Sequence, residues 1–82
     1  MTFEKKIFLV CYDYGMGGLW GTFLAHSEQE ILDLYPELLV VHKRPVWMTD
    51  ADFEGLLVRE LHDIDSAPWG ILNAVLADRL TS

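Results

Sequence analysis

Asp13 stands between Tyr12 and Tyr14 at the mouth of a glycine-rich turn, Gly15-Met16-Gly17-Gly18, with Trp20 and Gly21 on its far side. A carboxylate displayed on a loop among aromatic rings is suited to binding, because the rings supply flat apolar surface and the acid supplies direction. The same aspartate also suits a turn, since Asp beside Gly bonds its own backbone. Phosphate chemistry would need more than this segment contains. In the G-x-G-x-x-G fingerprint the loop opens a helix, but Trp20 occupies the third glycine position and the residues after it read as a strand. No Lys-Ser or Lys-Thr pair follows, so the P-loop pattern is absent too.

Nucleophilic chemistry would fall to Cys11 with His26, His42 or His62 as its base. Cys11 lies in the apolar run Ile7-Phe8-Leu9-Val10-Cys11-Tyr12, where burial raises a thiol pKa, so it reads as an inert core residue. The histidines lack C-x-x-C or H-x-x-x-H spacing, and Asp50/Asp52 and Asp63/Asp65 lack the calcium-loop pattern. The sequence therefore predicts no catalytic residue, metal or cofactor. Trp20, Trp47 and Trp69 each fall in a connection or at the start of an element, where tryptophan either lids a core or anchors a partner.

Charge narrows the partners. Thirteen acidic against six basic residues leave a net charge of −7, and the basic residues are scattered. Nucleic-acid backbones and anionic membranes demand clustered Lys and Arg, so neither is expected. Asp50, Asp52, Glu54, Glu60, Asp63 and Asp65 crowd one segment instead, a field suited to a basic protein partner or to solubility alone. No apolar stretch approaches the ~20 residues needed to span a bilayer. The single cysteine excludes an intrachain disulfide, which favours a reducing, cytoplasmic setting.

The elements that must position these residues read as β-β-α-β-α-α in a single domain spanning 1–82. Ile7 to Tyr12 is apolar on both alternating faces, the mark of a covered strand, and Leu19 to His26 pairs with it across the glycine turn. Ser27 and Glu30 form an S-x-x-E capping box ahead of Ile31, Leu34 and Tyr35, and Pro36 ends that helix. Leu38 to His42 reads as a third strand closed by Pro45. Thr49 caps a helix with Phe53, Leu56, Leu57, Leu61 and Ile64 at helical spacing, and Ser66-Ala67-Pro68 starts a last one. The class is α+β: a mainly antiparallel three-stranded sheet with three helices, one face of which is open unless the helices divide between the faces or a homo-oligomer covers it.

The function expected from these features is a non-enzymatic interaction module of inhibitor, immunity, antitoxin or adaptor type. Its binding residues would be Asp13, Tyr14, Trp20, Trp47, Asp52, Glu54 and Glu60, with a basic protein as partner. Two alternatives stand beside it: a small-ligand or catalytic domain using the Tyr12–Gly21 loop, and an acidic mimic of nucleic acid.

Overall fold

Two long apolar strands set the architecture, because each carries apolar residues on both faces and so sits inside the sheet. A computed structural model describes residues 4–13, 15 and 17–81. The elements are β1 (Lys6–Asp13), β2 (Gly18–Ala25), α1 (Glu28–Leu34), β3 (Leu39–Val41), α2 (Asp50–Arg59), β4 (Leu61–Asp63) and α3 (Ile71–Thr81). The fold is α+β. β1 and β2 form an antiparallel hairpin in which Cys11 faces Trp20 and Val10 faces Gly21. β3 adds to β1 antiparallel, with Leu39 opposite Cys11 and Val41 opposite Leu9.

The expectation of three mainly antiparallel strands is corrected here. The sheet has four strands in the order β3-β1-β2-β4, and β4 runs parallel to β2. The helical stripe read from Thr49 to Asp65 stops at Arg59, and Leu61, counted there as helical, belongs to the strand. A long-range contact ends the helix. The buried Thr22 donates its backbone N–H to the Glu60 carbonyl at 2.7 Å and its hydroxyl to the same oxygen at 2.9 Å. That carbonyl, left without an intrahelical partner, starts a ladder along β2 instead of another helical turn.

The helices start where their caps allow. Thr49 and Asp52 exchange both bonds of a capping box at α2, at 3.1 and 3.0 Å. At α1 the Ser27 hydroxyl accepts from Glu30 N–H at 3.2 Å, but the Glu30 carboxylate reaches back to the His26 N–H at 2.7 Å instead of to Ser27. α3 begins at Ile71, later than the Ser66-Ala67-Pro68 start expected, because Gly70 takes φ +56° just before it.

The two sheet faces are covered unequally. Val10, Tyr12, Phe23 and Ala25 meet Ile31, Tyr35 and Leu38 from the α1 side and Ile71, Leu72 and Val75 from α3 in one buried cluster. On the other face Thr22, Leu9, Cys11 and Met48 are buried, while Ile7 and Leu39 remain 50% and 57% exposed. α2 reaches this face over β2, where Thr22 bonds it, and leaves the outer β1–β3 side open. Both edge strands are only three residues long. Short edges are poor templates for adding another chain by backbone pairing. Among the described residues no helix is long and apolar enough to cross a membrane.

Candidate functional site

A hollow of about 430 Å³ opens on this uncovered face at the end of the sheet nearest the glycine turn. Register explains its walls: Cys11, Trp20 and Leu39 are direct cross-strand partners on β1, β2 and β3, so their side chains project together. Val41 and Asp13 lie two residues along the same strands and complete the lining with Gly18. Gly15 and Gly17 form the rim with φ of +93° and +143°, backbone that only glycine adopts without strain. The Asp13 carboxylate accepts the Gly15 N–H at 2.8 Å, the turn bond its position predicts. Among the described residues no Lys or Arg pairs with it.

Gly18 sets the floor. A Cβ there would lie 2.7 Å from Cys11 Sγ, so the missing side chain leaves the thiol on the floor of the hollow. Burial, and secondarily the negative charge of Asp13, push the Cys11 thiol pKa up. Cys11 thus lines a surface depression and is not sealed in the core.

Trp20 forms the far wall and also faces a second hollow of about 220 Å³ with Trp47, Met48, Asp52 and Arg59. The Trp20 and Trp47 rings meet edge to face, centroids 5.3 Å apart and planes at 83°, a favoured geometry for aromatic pairs. Trp47 is 60% exposed, so the pair is a ridge between two depressions and not a core contact.

The site residues named from sequence are thus split. Asp13, Trp20, Trp47 and Asp52 gather along the ridge and its hollows, whereas Tyr14 lies outside the described residues. Asp52 already accepts the Thr49 N–H in the α2 cap. Glu54 is exposed on α2. Glu60 lies apart, with Oε2 2.6 Å from His62 Nε2. His62 lies on β4, 1% exposed, with its ring tilted against Phe23 at 5.7 Å and Trp69 at 4.4 Å. The Glu60 carboxylate also lies against Gly70, directly before α3. α3 has no acidic residue in its own first turn, so Glu60 supplies the negative charge that a helix N-terminus favours.

Much of the remaining acidity is matched internally. Lys5 holds Asp63 and Asp65 at 2.6 and 2.7 Å, Arg44 holds Asp50 at 2.5 Å, and Arg79 holds Glu37. On the opposite face the Tyr12 hydroxyl donates to Asp78 at 2.5 Å, which raises the Tyr12 pKa and ties the end of β1 to α3. Two smaller hollows, about 310 and 190 Å³, flank that contact. Among the described residues no group of three or more His, Cys, Asp or Glu is placed to hold a metal ion.

Cys11, Leu39 and Val41 were not read as site residues. Leu39 and Val41 share one face by alternation, but their placement beside β1 depends on a strand order that local sequence does not encode. Comparisons with models of known families, with curated proteins and with solved structures find no match for this chain.

Proposed function

We propose that the protein is a non-enzymatic binding module that docks a basic partner protein on the open half of its sheet. The Trp20–Trp47 ridge is the anchor. The observation that carries this reading is the edge-to-face pair of exposed Trp47 and half-buried Trp20 beside a 430 Å³ apolar hollow. Exposed tryptophans at a concave apolar surface are the residues that dominate binding energy when a partner desolvates them. The acidic residues then act mainly through the net charge, steering a basic partner before contact rather than holding it afterwards. An extended acidic face is less favoured as the contact surface, because Asp50, Asp63, Asp65 and Glu37 already hold cations of the same chain.

Quantitative affinity capture from native lysate tests the reading with three baits: the wild type, Trp47→Ala, and the double variant Asp52→Asn/Glu54→Gln. A basic protein enriched by the wild type should be lost with Trp47→Ala. The double variant should retain it at low salt. Capture that survives Trp47→Ala and disappears with the double variant would contradict the reading and move the contact surface onto α2.

The same hollow also supports the small-ligand alternative, since its volume lies within the usual range for small-molecule pockets. Thermal stabilisation by an isolated small molecule, unaffected by Trp47→Ala, would favour that reading.

A further inference from the structure

We infer that the hollow beside Trp20 receives an arginine side chain carried on a segment of the basic partner; this rests on the docking reading above. Three observations select that chemistry. The floor and one wall are apolar, made by Cys11, Leu39 and Val41, and suit the methylene stem of a long side chain. The opposite wall is the Trp20 indole, an aromatic surface against which a planar guanidinium can pack. At the rim stands Asp13, which accepts the Gly15 N–H through Oδ1 and pairs with no Lys or Arg among the described residues.

Asp50, Asp63 and Glu37 each already pair with a cation of this chain, whereas Asp13 lines the hollow beside an aromatic wall and pairs with no Lys or Arg among the described residues. A guanidinium suits such a place better than an ammonium, because it is planar, stacks on aromatic faces and is more weakly hydrated. A purely apolar segment would leave the Asp13 carboxylate desolvated and unpaired, which is costly.

The test uses ¹⁵N-labelled protein titrated with Ac-Val-Arg-Val-NH2 and with the same peptide carrying citrulline, which keeps the shape and removes the charge. The amides of Gly15 and Gly18 and the indole N–H of Trp20 report on the hollow. The arginine peptide should shift them with an affinity roughly two- to fivefold above that of the citrulline peptide, the size expected of one partly exposed ion pair. Asp13→Asn, whose side-chain oxygen can still accept the Gly15 N–H and hold the turn, should abolish that preference. Equal affinity of the two peptides at the hollow would overturn the inference and leave the docking reading standing. Shifts confined to α2 would overturn both. No shift with millimolar peptide, or a dimer of the free protein that shields the same signals, would overturn the arginine assignment; the dimer would give the face to a second copy.

Discussion

Cys11 Sγ lies 2.7 Å from the point where Gly18 would carry a Cβ, so the floor of the hollow exists because position 18 has no side chain. Gly18 has no positive φ to protect, and its constraint is space alone. Gly18→Ala should destabilise the protein by about 1–3 kcal/mol through overpacking, and Cys11→Ala in the same chain should recover most of that loss. Urea denaturation of the two single variants and the double variant measures the coupling. Simple additivity would show that Gly18 and Cys11 do not share the space described.

Gly15→Ala separates conformation from space. Its Cβ would meet nothing within 4 Å, yet φ is +93°. A loss of about 1–2 kcal/mol from backbone strain is expected, unrelieved by any change at Cys11. An unchanged melting temperature would show that the turn relaxes without cost.

Glu60 and Glu54 were grouped as acidic surface residues, and the structure gives them different work. Glu60→Ala removes the partner of His62, a histidine whose buried Nδ1 has no hydrogen-bond partner among the described residues, and strips α3 of its N-terminal charge. The expected cost is about 1–3 kcal/mol. Glu54→Ala, exposed on α2, should stay within about 0.5 kcal/mol. Equal stability of the two variants in urea would contradict the structural role of Glu60.

The acid limb of stability follows from paired carboxylates. The Lys5 ammonium, with help from the Asp65 N–H, holds the Asp63 carboxyl below its ordinary pKa, and Arg79 does the same for Glu37. A carboxyl whose pKa is depressed in the folded state contributes stability above its unfolded pKa and loses it as pH falls through the folded value. Stability should therefore hold down to about pH 5 and fall below the ordinary carboxylate range near pH 4. Melting scans of Asp63→Asn and Glu37→Gln should show lower stability at pH 7 and a shallower decline in acid. The surface location of both pairs keeps each effect small.

Legibility in the sequence followed the range of the interactions. β1 and β2 were readable because Ile7 to Tyr12 and Leu19 to Ala25 carry their patterns locally, and the Thr49–Asp52 cap because its partners lie three residues apart. β4 was not. Leu61 and Ile64 keep a helical spacing with the residues before them, and what stops the helix is Thr22, far away in sequence, bonding the Glu60 carbonyl. Asp13 and Trp20 were legible as site candidates from loop composition. Their meeting with Leu39, Val41 and Trp47 depends on β3 joining β1 and on the chain after β3 returning to Trp20, neither of which any short segment specifies.

Alkylation of Cys11 tests the central claim most directly, because it is the chain's single cysteine and lies on the floor of the proposed site. The free protein should react slowly with iodoacetamide, given the raised thiol pKa. With the captured basic partner present at about ten times its Kd, the rate should fall about tenfold. An unchanged rate in the saturated complex would show that the partner binds elsewhere and would contradict the assignment of this face.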